Sequence, residues 1–246
     1  AQVFEAFGAA HAARRVKKGT PKSWAGLFQK KQTAFERLEP LEAYADKVDF
    51  QTAARGKVRQ GGAYVLGIDG GSTTTKTALV DIETGRICSA HYTKTNGNPE
   101  RALKECLAAM LEEIARVSSC RDPAIVGVGT TGSSGEFLSV LCGTPWYHNE
   151  IIAHARGAAH FCPETDTIFE IGGQDSKFTS LRSGVPIDFN MNDSCAAGTG
   201  SFIEESARDD FGVSMEAIAQ TALCARAPLA FSNQCAAFAN SDTRKA

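Results

Sequence analysis

The sequence predicts an α/β fold of two half-domains with a cleft between them. Two observations predict it. The apolar segment 63–66 leads into Gly-Ile-Asp-Gly-Gly-Ser-Thr-Thr-Thr-Lys at 67–76, and about 100 residues later the apolar segment 167–171 leads into Gly-Gly-Gln-Asp at 172–175. In each case a strand leads into a tight turn, and the turn's glycines have no Cβ to keep an anion away from the backbone N–H groups. Two such turns predict that the two half-domains bind one nucleotide between them.

The first half-domain, residues 63–160, is predicted from the order of its elements. The first turn is followed by predicted strands over 76–81 and 86–93, a helix over 99–118 and a strand over 124–128. Three strands, a helix and a further strand is the order expected of a ribonuclease-H-like half-domain. We therefore predict two such halves with mixed sheets covered by helices.

The helix over 99–118 has a start signal and an apolar face. Asn98 is its predicted N-cap, and Pro99 suits its first turn. Cys106 lies inside this helix, and we expect most of the eight cysteines to be small buried apolar residues of this kind. Residues at helical spacing predict the buried face: Leu103, Leu107, Leu111, Ile114 and Val117.

The rest of the chain divides into three parts. Residues 161–246 repeat the strand-and-turn theme, with a further strand over 176–181, and are predicted to form an incomplete second half-domain. Residues 1–18 read as a helix rich in small residues, which a Gly-Thr-Pro sequence ends. The polar stretch 19–62 lacks a steady period and predicts a linker with some helix.

Composition and charge argue against several classes of partner. The chain has 246 residues and a formal net charge of −2, so its bulk charge does not favour nucleic acid. Its basic stretch at 14–18 is short and typical of a solvated helix end. No apolar run reaches the ~18 residues that cross a bilayer, and no signal peptide is visible. We expect a cytoplasmic protein that binds neither nucleic acid nor membranes.

The polar residues of the two turns predict the chemistry of the cleft. Asp69 is expected to hold Mg²⁺ through water, because magnesium prefers one or two carboxylates and keeps its other waters. Gln174 or Asp175 is expected to orient the attacking water of a phosphoryl transfer, with the choice between them open. Lys76 is expected at the phosphates, although it could instead point to solvent at a strand edge. The other residues expected to contact phosphate are Gly70, Gly71, Ser72, Thr73, Thr74, Thr75, Gly172 and Gly173.

Four motifs are specific enough to resemble a known family. They are GIDGGSTTTK at 67–76, IGGQDSK at 171–177, MNDSCAAGTG at 191–200 and NQCAAFA at 233–239. In this order and at similar spacing, they resemble the activator ATPases of 2-hydroxyacyl-CoA dehydratases and benzoyl-CoA reductases. The resemblance covers residues 63–242.

The resemblance implies an actin/Hsp70-type ATPase fold, which acetate and sugar kinases share. It implies a homodimer that binds ATP and holds one [4Fe–4S] cluster between its subunits. It assigns that cluster to Cys195 and Cys235, because two thiolates per chain, doubled by a two-fold axis, supply the four that a cubane needs. It also assigns the loop Gly129-Thr130-Thr131-Gly132 to the lining of the nucleotide cleft, with Gly129 and Thr130 as phosphate contacts.

The function implied by the resemblance is ATP hydrolysis that drives a low-potential electron onto a partner, a 2-hydroxyacyl-CoA dehydratase or an acyl-CoA reductase. One alternative is a small-molecule kinase of the same superfamily, which would share the phosphate turns but have no use for the two cysteines. Another is a non-enzymatic nucleotide-responsive module.

The chain departs from the family pattern at two places. Asn240 stands where the family carries the first acid of a Phe-Ala-Glu-Ser-Glu run. The family continues past the position of Ala246 with a Gly-Gly adenosine-binding turn, so we expect this chain to be a fragment that is inactive alone. Residues 4–13 resemble the family's last helix, which suggests a parent with two tandem activator domains. An unrelated alanine-rich helix is the alternative.

Overall fold

A computed structural model of the chain describes residues 3–14, 23, 35–49, 54–120, 122–192, 198–231 and 236–245. These residues form two β-sheets with helices beside them. The strands are β1 (Ala63–Gly70), β2 (Thr74–Asp81), β3 (Ile87–Lys94), β4 (Ala124–Thr131), β5 (Thr167–Ile171), β6 (Ser176–Arg182) and β7 (Val185–Met191). The helices are α1 (Phe4–Ala13), α2 (Pro99–Val117), α3 (Gly135–Leu141), α4 (Glu150–Phe161), α5 (Gly200–Phe211), α6 (Met215–Leu223) and α7 (Ala236–Thr243), with a 3₁₀ helix at Leu41–Lys47.

The first sheet is mixed and has the strand order β3-β2-β1-β4. β2 runs antiparallel to β1 and β3, whereas β4 lies parallel to β1. A parallel neighbour needs a long crossover connection, and α2 lies within that connection. The predicted elements of this half are confirmed, although β2 begins two residues earlier than expected and β4 continues three residues further.

α2 covers one face of the first sheet. It begins as predicted, because the side chain of Asn98 accepts a hydrogen bond from the backbone N–H of Arg101 at 2.9 Å and Pro99 is its first residue. The core of this half joins the α2 side chains to the alternating inward residues of β1 and to Leu79 of β2. The buried residues of α2 are Ala102, Leu103, Cys106, Met110 and Ile114.

The predicted apolar face of α2 is partly wrong. Leu111 is 52% exposed and Val117 is 70% exposed, whereas Met110 is 3% exposed. Successive helical residues are about 100° apart, so Leu111 lies about 80° from Leu103, while Met110 lies only about 20° from it on the other side. Val117 is the last residue of the helix. The leucine spacing placed the buried stripe too far around the helix.

The second sheet has the order β5-β6-β7 and is antiparallel throughout. It therefore repeats the three-stranded meander that β1, β2 and β3 form in the first half. Among the described residues no strand pairs with the second edge of β5, whereas β4 occupies the corresponding edge of β1. The second half therefore has one strand fewer than the first in the part of the chain that the structure describes.

Parts of the predicted linker pack against both halves. The N–H of Leu38 donates to the carbonyl of Pro228 at 2.7 Å, and the N–H of Ala230 donates to the carbonyl of Glu36 at 2.9 Å. Val58 is 8% exposed and belongs to the core of the first half. By contrast, α1 buries none of its described side chains. Every helix among the described residues is too short or too polar to span a bilayer.

A pair of neighbouring substitutions distinguishes the observed face of α2 from the predicted one. We expect Met110→Ala to lower the free energy of unfolding by about 2–5 kcal/mol, because it leaves a cavity in the core. Leu111→Ala, which removes a half-exposed side chain, is expected to cost under about 1 kcal/mol. Urea denaturation followed by circular dichroism measures both values, and equal losses would contradict the structure.

Candidate active site

A cleft of about 880 Å³ lies between the two sheets, at the ends of β1 and β5 where the Gly-Gly turns occur. Both turns contribute to its lining, as sequence reasoning predicted. From the first turn the lining residues are Asp69, Gly71, Ser72, Thr73, Thr74 and Lys76, and from the second they are Gly172, Gly173, Gln174 and Asp175. The structure therefore brings two distant segments of the chain to one site.

The first turn leaves no room for side chains. A Cβ on Gly70 would lie 2.6 Å from a methyl group of Leu138 on α3, and a Cβ on Gly71 would lie 2.7 Å from the carbonyl oxygen of Thr74. Glycine is therefore required where the backbone bends into the cleft. Asp69 and Lys76 face each other across the β1–β2 pair, with the carboxylate and ammonium 2.8 Å apart. Lys76 therefore points along the cleft edge and is not free in solvent.

Thr75 does not line the cleft, although sequence reasoning included it with the phosphate residues. It is fully buried, because alternation along β2 turns its side chain toward α2. Its hydroxyl lies 3.0 Å from the hydroxyl of Thr95, which donates to the carbonyl of Gly71 at 2.7 Å. Thr75 therefore supports the first turn from beneath, and backbone groups with the other hydroxyls face the cleft.

Of the predicted loop Gly129-Thr130-Thr131-Gly132, the last two residues line the cleft and the first two do not. Thr130 is 2% exposed. The lining residues are Thr131, Gly132 and Ser133. Gly132 has φ +87°, and a Cβ there would overlap the carboxylate of Asp69. The strand extends further than predicted, which moves its loop toward Asp69.

The two turns touch each other. A Cβ on Gly173 would overlap the side chain of Thr73, so the second turn approaches the first only because Gly173 has no side chain. The hydroxyls of Thr73 and Thr131 are buried at this cleft, and neither has a hydrogen-bond partner among the described residues. Thr77 and Thr130, which do not line this cleft, also carry buried hydroxyls without a partner among the described residues, so the feature is not confined to the cleft.

The donor set at the cleft fits magnesium held mainly by water. Among the described residues no group of three or more His, Cys, Asp or Glu side chains is arranged to hold a metal ion. Asp69 is 36% exposed and faces the space between the turns, so its carboxylate could accept hydrogen bonds from metal-bound water or bind the ion directly.

Four charged residues of the cleft wall were not assigned a role from the sequence. Lys177 of β6 has a side chain only 5% exposed, and its ammonium lies 2.8 Å from Glu150 and 3.6 Å from Glu170. His154 of α4 lies 3.0 Å from the other carboxylate oxygen of Glu170. The only sequence signal for this group is spacing, since Glu170 precedes Lys177 by the same seven residues that separate Asp69 from Lys76.

The charges of this group stabilise one another. The hydrogen bond with Glu170 raises the pKa of His154, and the same bond lowers the pKa of Glu170. Burial lowers the pKa of Lys177, but the hydrogen bond with Glu150 and the charge of Glu170 outweigh burial and raise that pKa above its usual value. Lys177 therefore stays protonated although it is buried.

Cys195 and Cys235 lie outside the described residues, and the helices that follow them are described. α5 begins five residues after Cys195, and α7 begins one residue after Cys235. The hydroxyl of Ser206 lies 2.9 Å from the amide oxygen of Asn240.

Two side-chain contacts join the helices that follow the cysteines. Ser206 of α5 contacts Asn240 of α7, and Asp210 of α5 contacts Arg244, the residue after the end of α7, at 3.3 Å. The segments that begin shortly after the two cysteines therefore contact each other.

α5 is also bonded directly to the second turn. The backbone N–H of Gly200 donates to the carbonyl of Gly172 at 2.8 Å, and that of Ser201 donates to the carbonyl of Gly173 at 2.9 Å. From the first half, the ammonium of Lys94 lies 2.7 Å from the carboxylate of Glu204 on α5. One helix thus contacts both sides of the cleft.

Known proteins share this sequence pattern and fold. The pattern of the BadF/BadG/BcrA/BcrD ATPase family matches residues 66–246. The 2-hydroxyisocaproyl-CoA dehydratase activator of Clostridioides difficile is 30% identical over 187 residues, which cover 73% of this chain and 64% of the relative. The (R)-2-hydroxyglutaryl-CoA dehydratase activating ATPase of Acidaminococcus fermentans is 31% identical over 186 residues, which cover 73% of this chain and 65% of the relative. The chain thus spans slightly less than two thirds of these relatives.

Solved structures agree with the sequence comparison. Component A of the Acidaminococcus fermentans (R)-2-hydroxyglutaryl-CoA dehydratase superposes with a TM-score of 0.62 at 26% identity, over 74% of this chain and 67% of that one. The activator of the Clostridium difficile 2-hydroxyisocaproyl-CoA dehydratase, solved with bound ADPNP, superposes with a TM-score of 0.59 at 28% identity. The superposition covers 74% of this chain and 64% of that one. The predicted actin/Hsp70-type ATPase fold is confirmed.

The His154–Glu170 pair makes stability depend on pH. A raised His154 pKa contributes stability that is present below the usual value of about 6.5 and is lost as the pH rises through the raised pKa. A lowered Glu170 pKa contributes stability that is present above its usual value of about 4.5 and is lost as the pH falls through the lowered pKa. We therefore expect His154→Gln to destabilise the protein more at about pH 5.5 than at about pH 9, measured by urea denaturation. Equal losses at the two pH values would contradict the pairing.

Proposed function

The chain belongs to the BadF/BadG/BcrA/BcrD ATPase family, and we propose that its full-length protein is an ATP-hydrolysing activator that passes a low-potential electron to a 2-hydroxyacyl-CoA dehydratase or a related acyl-CoA reductase. The observation that carries this proposal is the cleft in which two Gly-Gly turns meet beside Asp69. The named activities of relatives that the chain matches over most of its length support it. We propose that the 246-residue chain alone hydrolyses little ATP.

The proposed reaction is phosphoryl transfer to water. The water oxygen forms a bond to the γ-phosphorus while the bond from that phosphorus to the bridging oxygen breaks. The electron pair of the broken bond leaves with ADP, and the proton of the water is released with the phosphate. Catalysis of this kind depends on positioning and on neutralising charge.

Each part of the cleft has a proposed role in that reaction. Asp69 holds Mg²⁺, directly or through water, and Lys76 adds a positive charge at the cleft edge. Backbone N–H groups of the two turns contact the phosphates, together with the hydroxyls of Ser72, Thr73 and Thr74. Gln174 and Asp175, which line the cleft beside the second turn, are the sequence-based candidates for orienting the attacking water.

A [4Fe–4S] cluster shared by two chains is the proposed electron carrier, with Cys195 and Cys235 of each chain as ligands. The side-chain contacts that join α5 to α7 and to Arg244 support this assignment, because each helix begins shortly after one cysteine. When bound, such a cluster supplies one-electron chemistry at a potential that its surroundings tune. The cysteines would sit at a two-fold homodimer interface.

The contacts of α5 suggest how the nucleotide and the cysteines communicate. Its first N–H groups are bonded to the carbonyls of Gly172 and Gly173, which line the cleft. A shift of the second turn on nucleotide exchange would therefore displace the start of α5, which lies five residues after Cys195 in the chain. The ion pair between Lys94 and Glu204 joins α5 to the first half as well.

Loss of Asp69 tests the nucleotide part of the proposal. In the full-length protein we expect Asp69→Ala to lower the ATPase rate about 100-fold or more, roughly 2.7 kcal/mol of barrier, because the metal loses its carboxylate. Asp122→Ala, an exposed aspartate outside the cleft, is the control and should leave the rate unchanged. A rate within about threefold of wild type for Asp69→Ala would remove Asp69 from the metal site.

Loss of the two cysteines tests the cluster. In full-length protein purified without oxygen, we expect Cys195→Ser or Cys235→Ser to abolish the broad iron–sulfur absorbance and to remove the bound iron. The controls are Cys106→Ser, at a buried position, and Cys162→Ser, at an exposed position, and both should retain the iron. Unchanged iron per dimer in the first two variants would overturn the assignment of the cluster to Cys195 and Cys235, and a wild-type protein without iron would favour a nucleotide-responsive module. Phosphorylation of a small acceptor would favour a kinase.

A further inference from the structure

Each phosphate turn is framed by the same pair of charges. In the first half, Asp69 on the strand entering the turn is the cross-strand partner of Lys76 on the strand leaving it. In the second half, Glu170 and Lys177 are cross-strand partners in the same way. Seven residues separate the acid from the lysine in both halves, and the Gly-Gly pair lies between them. Glu170 is therefore the structural counterpart of Asp69 in the repeated meander.

The Glu170 carboxylate is held at both of its oxygens. His154 Nδ1 lies 3.0 Å from Oε2, and the Lys177 ammonium lies 3.6 Å from Oε1. Lys177 is in turn held by Glu150 at 2.8 Å. The Glu170 side chain is 26% exposed, and it lines the cleft. A carboxylate that is mostly buried and fixed by two partners keeps one orientation while its remaining lone pairs face the cleft.

The other candidates for this position are less fixed. Gln174 and Asp175 are both exposed at the tip of the second turn. The backbone carbonyl of Asp175 accepts the N–H of Gly172 at 2.8 Å, so this residue contributes to the turn through its main chain. An exposed side chain must lose rotamer freedom and water before it can orient a reactant. Glu170 has already lost most of its rotamer freedom on folding, because its partners hold it in place.

The charge balance also favours Glu170. A second acid beside a polyphosphate is repelled unless cations lie close to it. Lys177 is nearly buried and stays protonated because Glu150 and Glu170 surround it, and His154 adds a second cationic partner when protonated. In the first half, Lys76 is 49% exposed, so only the second half buries its lysine. This difference suits an acid that acts without a bound metal ion.

We infer that Glu170, and not Gln174 or Asp175, is the carboxylate that orients the attacking water, and that Lys177 and His154 are positioning residues that hold Glu170 in place. This inference rests on the proposed ATPase function. Glu170 accepts a hydrogen bond from the water and keeps its oxygen in line with the γ-phosphorus. The bonds formed and broken in the hydrolysis remain those given above.

Steady-state ATPase kinetics of the full-length protein test the inference. Glu170→Gln keeps the size of the side chain and removes its charge, and we expect it to lower kcat about 100-fold while KM for ATP stays within about threefold. Lys177→Met is expected to lower kcat about tenfold or more, and Lys177→Arg to recover part of that loss. Asp175→Asn is expected to lower kcat less than tenfold, which is about 1.4 kcal/mol.

The matched control uses a second histidine–carboxylate pair outside the cleft. His91 and Glu113 lie 3.0 Å apart between β3 and α2, the same distance as His154 and Glu170. Glu113→Gln should therefore leave kcat and KM unchanged. Thermal unfolding of every variant separates a kinetic loss from misfolding. Because Glu170→Gln is isosteric, it decides the test even where Lys177→Met does not fold.

The possible outcomes separate this inference from the proposed function. Loss of activity in Asp69→Ala with a normal kcat in Glu170→Gln overturns the inference and leaves the ATPase function standing. A larger loss in Asp175→Asn than in Glu170→Gln has the same meaning. A wild-type protein without ATPase activity overturns the proposed function and this inference together.

Discussion

The close approach of the two Gly-Gly turns is the constraint on which the rest of the cleft depends. The side chain of Thr73 occupies the space that a Cβ on Gly173 would need, so the two turns approach each other this closely only because that position lacks a side chain. Gly132, which directly follows β4, must also lack a side chain, because the carboxylate of Asp69 fills the space that a Cβ would need. Glycines at these points let three separate segments of backbone converge on one volume.

An acid and a lysine flank the cleft in each half, and the two pairs differ in how deeply the lysine is buried. Both halves present an acid and a lysine across a hairpin, but Lys76 lies at the open edge and Lys177 is enclosed by α4. The enclosing helix lies before β5 in the chain and contributes Glu150 and His154 to the second half. A duplicated backbone motif has thereby acquired two electrostatic environments, which is the usual basis for two carboxylates with different roles in one site.

The second turn connects the cleft to the region of the cysteines. Its carbonyl groups accept the first hydrogen bonds of α5. The hydroxyl of Ser206 on α5 donates to the amide oxygen of Asn240 on α7, which joins the two helices that follow the cysteines.

The sequence by itself determined the local features: the strands β1 to β6, the positions of both turns, the start of α2 and the acid beside the first turn. These follow from short-range rules, since backbone freedom at glycine, capping by Asn98 and alternation along a strand involve only neighbouring residues. The tertiary structure decided which face of α2 is buried, why Thr75 supports the turn from beneath, and how far β4 extends. It alone brought His154 and Glu150 to Glu170 and Lys177, because ion pairs between a helix and a sheet depend on how the elements pack, and no local sequence period encodes that packing.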